Sequence, residues 1–212
     1  SVIVMGRYKK IPLQRIVDNY FGRVFNLPLV IMKRAKKRVF FENPKKVTIF
    51  RLSSIGDSIL LLPAIKNFKG KTKAEIIVIC SKENLPVFSG QKFIDKMIIL
   101  DNRLISPLKI LKILMQIRRE KADISIDTTH SSNLSTLFSS FAGRSHIGFS
   151  NSGTGIRNRI YDRTIFLNPK KHMMLNYLDL FELTGARYNE KRIKLVSPLY
   201  SKEEEDRIRE LN

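Results

Sequence analysis

The sequence predicts an open, doubly wound α/β fold, in which helices cover both faces of a parallel sheet. From Val47 onward, short strands that are almost entirely apolar alternate with longer amphipathic segments. Strands that are apolar on both faces are typical of a buried parallel sheet. The chain has 212 residues, of which 43% are hydrophobic, so it is long enough to bury one substantial core.

Five strands are predicted, each short, apolar and bounded by polar or turn-forming residues. They are VTIFRL (47–52), EIIVIC (75–80), KMIIL (96–100), DISID (123–127) and SHIGF (145–149). The predicted helices are DSILLLPAIKNF (57–68), PLKILKILMQIRREK (107–121), SNLSTLFSSFAG (132–143) and KKHMMLNYLDLFELTGA (170–186), the last ended by Gly185. A short irregular or helical piece is expected around Pro86, and a loop at residues 150–159.

The charge is strongly positive, with 39 Lys and Arg against 19 Asp and Glu and a formal net charge of +20. Such a surface favours polyanions, among them nucleic acid, anionic lipid head groups and phosphorylated glycolipids. Residues 1–46 carry twelve of the bases and only two acids, which is half of the excess. This segment is therefore much more basic than the rest of the chain.

Residues 13–25 have the apolar spacing of an amphipathic helix, and a second basic stretch follows at residues 33–38. No uninterrupted apolar stretch there approaches the ~20 residues that a membrane span needs. Charged residues also interrupt any signal-peptide core. The helix either lies in a membrane interface or docks on the protein's own core, and the pattern fits both equally.

The sequence lacks the residues that several kinds of catalytic or binding site need. The sequence contains no Walker motif, no nucleophile elbow around a serine and no RNA-binding motif. The three histidines are scattered without zinc-ligand spacing, so no metal site is predicted. Cys80 is the single cysteine and lies in an apolar run, which predicts an inert core thiol in a reducing compartment.

The stretch SSIGD (53–57) separates the first strand from the first helix. In a doubly wound sheet, ligands bind at the carboxyl ends of the strands, and this stretch lies there. Gly56 is expected to allow a tight turn, and the helix dipole would favour an anionic Asp57. Asp57 is therefore either a helix N-cap or a catalytic base, and its position fits both.

The residues IFRLSSIGDSILLLPAIKNFK (49–69) resemble the opening motif of bacterial heptosyltransferases, glycosyltransferase family 9. Three further stretches are similar in the same order: KADISIDTTHSSNLSTLFSSFAGRSHIGF, HMMLNYLDLFELTGA and KLVSPLYSKEEEDRIREL. The resemblance runs from about Val47 to the end of the sequence. It implies one Rossmann-like half of a GT-B enzyme, the half that holds the acceptor.

The same resemblance implies an inverting, metal-independent transfer of heptose from ADP-heptose to the inner core of lipopolysaccharide. Asp57 would be the general base, and Ser53, Ser54 and Gly56 would shape the turn around it. No cofactor is implied beyond the nucleotide-sugar donor, which the other half would hold. The implied acceptor is a phosphorylated glycolipid, and the implied location is cytoplasmic, peripheral at the inner face of the bacterial inner membrane.

Three further residues are expected in loops that face the acceptor, or else are solvated loop residues. They are His130, Arg144 and Arg157. The interpretation divides the chain into a basic extension (1–46), an acceptor-binding domain (47–197) and the start of a linker to a donor domain (198–212). In that last piece Ser201 and Glu204 form a capping box. Without a donor domain, this chain is not expected to transfer sugar.

Two other functions remain open. The chain could be a non-catalytic α/β module that binds anionic lipid or nucleic acid through its basic surface, although the resemblance disfavours nucleic acid. It could also be a nucleotide-binding domain of another chemistry, but that reading needs a phosphate-binding loop, and the sequence contains none. The oligomeric state is left open by the sequence.

Overall fold

A computed structural model describes residues 43–100, 107–130, 132–150, 156–188, 193–196 and 198. The helix predicted at residues 13–25 and the capping box predicted at Ser201 and Glu204 lie outside these residues. Both therefore stay predictions.

Six strands of the described chain form one sheet in the order β3-β2-β1-β4-β5-β6, and every neighbouring pair is parallel. The strands are β1 (Lys46–Arg51), β2 (Glu75–Ser81), β3 (Lys96–Leu100), β4 (Ala122–Asp127), β5 (Gly143–Ser150) and β6 (Arg163–Phe166). The five predicted strands are confirmed as β1 to β5. The strand order reverses between β1 and β4, which is where ligands bind in open parallel sheets.

Helices connect these strands and cover the sheet. Those of the described residues are α1 (Ile55–Thr72), α2 (Leu85–Phe88, after the 3-10 turn Lys82–Asn84), α3 (Pro107–Arg119), α4 (Asn133–Ala142), α5 (Ile156–Ile160) and α6 (Met173–Glu182). The four predicted helices are confirmed as α1, α3, α4 and α6. Past the end of α6 the chain turns at Gly185, whose φ of 92° suits a residue without a side chain.

Two parts of the prediction were wrong. The loop expected at residues 150–159 includes most of α5, and the strand β6 was not predicted at all. Both elements are short, with five and four residues. Such short runs give hydrophobic periodicity too few positions to be recognised.

The core has two layers, one on each face of the sheet. On one face, α1 and α6 pack against the strands through side chains such as Leu61, Phe68 and Leu180. On the other face, Ile117 of α3 and Phe138 of α4 pack against the sheet. This arrangement confirms the doubly wound fold. No helix of the described residues is long and apolar enough to cross a membrane.

Cys80 is fully buried in the first of these layers, as predicted. Burial raises the pKa of its thiol to about 11. The reactive form of a cysteine is the thiolate, so Cys80 is chemically inert at neutral pH.

Candidate functional site

The carboxyl edge of the sheet carries the candidate site. Strand β1 ends at Arg51, and after residues 52–54 helix α1 begins. Strands β2 and β4 end at the same edge, because all the strands are parallel. The chain segments that follow these three strands therefore meet where the strand order reverses.

Ser54 starts helix α1. Its backbone is in the left-handed region, with φ of 64°, and its side chain accepts a hydrogen bond from the N–H of Asp57 at 3.5 Å. Its carbonyl oxygen accepts from the N–H of Ser58 at 3.1 Å. Ser54 is thus the N-cap, and Asp57 is the third residue of the helix. Of the two roles left open for Asp57 by the sequence, the N-cap is excluded.

Gly56 does not provide the turn as expected. It is the second residue of α1 and has no positive φ, whereas Ser54 takes the left-handed conformation. A Cβ placed on Gly56 would meet no atom of the described residues within 4 Å. The space beside the first turn of α1 is therefore open at this position, and packing does not require a glycine there.

The side chain of Asp57 is held by a buried arginine. Nη2 of Arg51 donates to Oδ2 of Asp57 at 2.6 Å. The Arg51 side chain is only 1% exposed, whereas that of Asp57 is 27% exposed. The carboxylate therefore has one side on a buried cation and another accessible to a ligand. The positive end of α1 adds to the field that stabilises its negative charge.

Three groups from distant parts of the chain hold Arg51 in place. Its Nη1 donates to the carbonyl oxygen of Thr128, just past β4, at 3.1 Å. Its guanidinium carbon lies 5.8 Å from the ring centroid of Tyr177 on α6, within the range of a cation–π contact. The amide of Asn84 donates to the carbonyl oxygen of Arg51 at 3.3 Å. The first two contacts hold the guanidinium, and the third holds the backbone of Arg51.

Some buried polar atoms around the site have no hydrogen-bond partner among the described residues. They are Nε of Arg51, the hydroxyl of Tyr177 and Oδ1 of Asn84. Most buried polar atoms in folded proteins are paired, but unpaired atoms such as Ser125 Oγ and Ser145 Oγ also occur elsewhere in the described part of the sheet, so these three do not by themselves mark a site. Burial raises the pKa of Tyr177, Arg51 opposes that shift and Asp57 adds to it. Tyr177 is therefore a neutral phenol beside an ion pair.

A buried carboxylate shapes the chain after β4. Oδ1 of Asp127 accepts from the hydroxyl of Ser135 at 2.8 Å and from the N–H of Thr129 at 3.0 Å. Its Oδ2 accepts from the hydroxyl of Tyr161 at 2.8 Å and from that of Thr136 at 3.3 Å. Asp127 thus ties the first residues after β4 to α4, and these include the carbonyl that holds Arg51.

The fold matches solved glycosyltransferase structures. A family 9 glycosyl transferase from Veillonella parvula matches with a TM-score of 0.67 at 16% identity, over 82% of this chain and 50% of that chain. The E. coli heptosyltransferase WaaC with ADP gives 0.59 at 15% identity, over 68% and 48%. E. coli ADP-heptose lps heptosyltransferase II gives 0.59 at 17% identity, over 78% and 50%.

The chain has the fold of one half of these enzymes. It spans about half the length of each matched structure, which confirms the predicted Rossmann-like half of a GT-B fold. At these identities the likeness concerns the fold alone. No family model and no curated protein sequence matches the chain.

The other predicted site residues lie in different parts of the fold. Ser53 is exposed in the connection between β1 and α1, four residues before Asp57. His130 follows β4 and so lies at the same edge of the sheet. Arg157 lies in α5, and its side chain is outside the described residues.

Arg144 was expected in a loop near the acceptor, and that expectation was wrong. It is the second residue of β5, whose Gly143 and Ser145 are in register with the first half of β4. It therefore lies at the amino edge of the sheet. Asp57 lies beyond the opposite ends of the strands, about 16 Å away along a six-residue strand.

Sequence reasoning missed the residues that surround Asp57. The only signal for Arg51 is a charged residue near the end of a largely apolar strand, two residues before SSIGD. Tyr177 and Thr128 carry no such signal, because each reaches the site through tertiary packing.

Within the described residues, no cluster of three or more His, Cys, Asp or Glu side chains could hold a metal ion.

Proposed function

We propose that this chain is the acceptor-binding half of an inverting glycosyltransferase and that Asp57 is its general base. One observation carries the proposal. A carboxylate at the carboxyl edge of the sheet is held on one side by a buried arginine and is accessible on the other. The match to half of each solved glycosyltransferase supports this class of reaction.

In the proposed reaction, a hydroxyl of the acceptor attacks the anomeric carbon of the donor sugar. The bond from that carbon to the diphosphate breaks, and the diphosphate leaves with the electron pair. The hydroxyl proton passes to the carboxylate of Asp57 as the new bond forms. A weak base suffices, because the hydroxyl becomes acidic only as it gives up electron density in an oxocarbenium-like transition state.

Arg51 acts in this proposal as a positioning residue. Its two hydrogen bonds, to Asp57 and to the Thr128 carbonyl, fix the carboxylate relative to the sheet. A guanidinium presents its donors in a rigid fork, so it holds both acceptors in one geometry. A carboxylate fixed in advance loses less entropy when the acceptor hydroxyl arrives.

The acceptor in this proposal is a phosphorylated glycolipid. The net charge of +20 supports an acidic ligand. Ser53, Ser54, Gly56 and His130 follow β1 or β4 at the carboxyl edge and would contact it. The open space in front of Gly56 would let a sugar approach the start of α1.

The donor in the finer form of the proposal is ADP-heptose, and the acceptor is the inner core of lipopolysaccharide. Two of the matched structures are heptosyltransferases named with ADP or ADP-2-deoxy-2-fluoro heptose. The donor would bind mainly to a second half outside this chain. The reaction would then take place in the cytoplasm, at the inner face of the inner membrane.

Titration calorimetry with the chain tests this assignment. The probes are a delipidated, phosphorylated inner-core oligosaccharide, ADP-heptose and a random DNA duplex. Each is titrated at low and at moderate salt, because non-specific binding of nucleic acid falls steeply with salt. The proposal expects the oligosaccharide to bind at moderate salt and to bind more tightly than ADP-heptose.

Two results would contradict the proposal. Tighter binding of ADP-heptose than of the oligosaccharide would make this the donor half. Tight DNA binding at moderate salt without oligosaccharide binding would favour a non-catalytic basic module.

A further inference from the structure

Helix α3 is apolar on two opposite faces. Its inner face, with Leu114 and the fully buried Ile117, packs against the core beneath the sheet. Its outer face carries Leu108, Leu111 and Met115, which are 72%, 53% and 48% exposed. These three residues recur at helical spacing and form one line, here called the apolar stripe. A single exposed leucine needs no explanation, but a contiguous stripe indicates an interaction surface.

Bases flank the apolar stripe on both sides. At 3.6 residues per turn, Lys112 and Arg119 fall to one side of the stripe and Arg118 falls to the other. All three are exposed, and the 13 residues of α3 include no acid. Glu120 directly follows the helix, but its carboxylate is paired with Lys96 at 2.6 Å. The exposed charge along α3 is therefore entirely positive.

We propose that the outer face of α3 docks on an anionic lipid surface. Apolar side chains in a line with cations on both flanks are what an interfacial helix needs. The apolar side chains enter the boundary of the acyl chains, while the cations meet lipid phosphates. The proposal goes beyond the transfer reaction, because it concerns a surface that contains no residue of the candidate site.

The positive charge of the outer face of α3 favours an anionic lipid surface over a second copy of the chain and over the chain's own residues 1–46. A second copy of this chain, docked stripe to stripe, would bring the bases of both copies together. The chain's own residues 1–46 carry twelve bases and two acids, so they too would be repelled. An anionic bilayer satisfies both the apolar stripe and the bases on its flanks.

The topology links this surface to the site. Helix α3 follows β3, so it starts at the carboxyl edge of the sheet, and its stripe begins there at Leu108. A chain docked through α3 would hold the carboxyl edge of its sheet close to the lipid surface. An acceptor with a lipid anchor could then reach Asp57 without leaving the membrane.

A polarity-sensitive fluorophore on the full chain tests the proposal directly. The label is attached to Met115→Cys and, as a control at the opposite edge of the sheet, to Lys71→Cys, an exposed position in the last turn of α1. Cys80 does not compete, since burial raises its pKa to about 11. The vesicles contain equal parts of phosphatidylglycerol and phosphatidylethanolamine, and phosphatidylcholine vesicles serve as the neutral control.

The label at position 115 should shift to the blue with the anionic vesicles and not with the neutral ones, and the label at position 71 should not respond. This readout separates insertion of α3 from any anchoring by residues 1–46. No response at position 115 would overturn the proposal. So would a blue shift without vesicles that grows with protein concentration, which means self-association. A label that is already blue-shifted in dilute protein and does not change with vesicles would mean that the chain covers its own stripe. That result would also overturn the proposal.

A second experiment measures how much the apolar stripe contributes to binding of anionic vesicles. Leu108→Ser combined with Leu111→Ser should lower the partition coefficient onto anionic vesicles at least about tenfold. The control combines Ile99→Ser with Phe166→Ser, which alters two exposed apolar side chains on β3 and β6 outside the stripe and should lower the partition coefficient less. Equal losses in both double variants would contradict a specific role for α3.

Discussion

Arg51, the last residue of the first strand, donates to Asp57 in the first turn of the following helix across 2.6 Å. The arginine is buried and the aspartate is partly exposed, so the pair connects the core of the domain to its surface. A buried cation needs a partner for its charge. The ion pair therefore serves stability and positions the proposed base, and the two roles can be separated by mutation.

Arg51→Ala should lower the free energy of unfolding by about 3 to 5 kcal/mol, because it leaves a cavity where a large buried side chain lay and removes the donor to the Thr128 carbonyl. Arg51→Lys should lose less, since an ammonium keeps the charge but cannot match the fork geometry. Urea denaturation measures both. The control is Lys66→Ala on the exposed face of α1, which should change stability by under about 0.5 kcal/mol. Equal stability of Arg51→Ala and the control would mean that the ion pair contributes nothing.

Tyr177→Phe removes a buried hydroxyl that has no hydrogen-bond partner among the described residues. The ring stays, and with it the contact to the guanidinium of Arg51. The free energy of unfolding should therefore stay within about 1 kcal/mol of the original value or rise. A loss of several kcal/mol on thermal unfolding would show that the hydroxyl is paired in solution.

Gly148→Ala should destabilise the domain. A Cβ at this position would lie 2.5 Å from two ring carbons of Tyr161. The ring cannot move aside freely, because its hydroxyl donates to the buried Asp127. We expect a loss of about 1 to 3 kcal/mol, the usual cost of overpacking. In the double variant Gly148→Ala/Tyr161→Leu the two effects should not add, and additive losses would contradict this contact.

Asp95 should contribute to the acid sensitivity of the fold. Burial by itself raises the pKa of Asp95. Hydrogen bonds from the Ile76 N–H and from Lys69, together with the charge of Lys69, lower the pKa by more than burial raises it, so the pKa lies below its ordinary value. A carboxylate with a lowered folded pKa adds stability above its unfolded pKa and loses it as the pH falls through the folded value. Asp95→Asn should therefore be less stable than the original chain at pH 7, and the difference should vanish well below pH 4. A difference that is constant with pH would exclude this linkage.

The fold could be predicted from the sequence because its signals are local. Apolar strands such as EIIVIC, and the polar stretch SSIGD that separates β1 from α1, can be recognised within a few residues, although the cap of α1 is Ser54 rather than Asp57. The approximate place of Asp57, near a helix N-terminus at the carboxyl edge, was predicted for the same reason. The short β6 and α5 were missed, because tertiary packing rather than local pattern stabilises them.

The candidate site was only partly predictable. The contact of Arg51 with Tyr177 joins the first strand to the last described helix, and its geometry depends on how α6 packs on the sheet. The placement of Arg144 failed for a different reason. The predicted strand began at residue 145, one residue after Arg144, and a residue at the start of a parallel strand lies at the amino edge, opposite the carboxyl edge where ligands bind.

The central claim is that Asp57 accepts the proton of the acceptor hydroxyl, and Asp57→Asn tests it most directly. Asparagine can still accept a hydrogen bond from Arg51, so we expect a stability loss of about 1 to 3 kcal/mol, the worth of a hydrogen bond to a charged group. The control is Ile65→Val in the buried part of α1, which should cost about 0.5 to 1.5 kcal/mol without changing the site.

The deciding measurement is the initial rate of sugar transfer by this chain together with the donor-binding half that the proposal requires, at a temperature where all variants are folded. Asp57→Asn should lower the turnover rate on the order of 10²- to 10⁴-fold, the usual worth of general base catalysis, while affinity for the acceptor stays nearly unchanged. Ile65→Val should keep the original rate. If Asp57→Asn turns over at the original rate and is merely less stable, Asp57 is only the partner of Arg51, and the account is wrong.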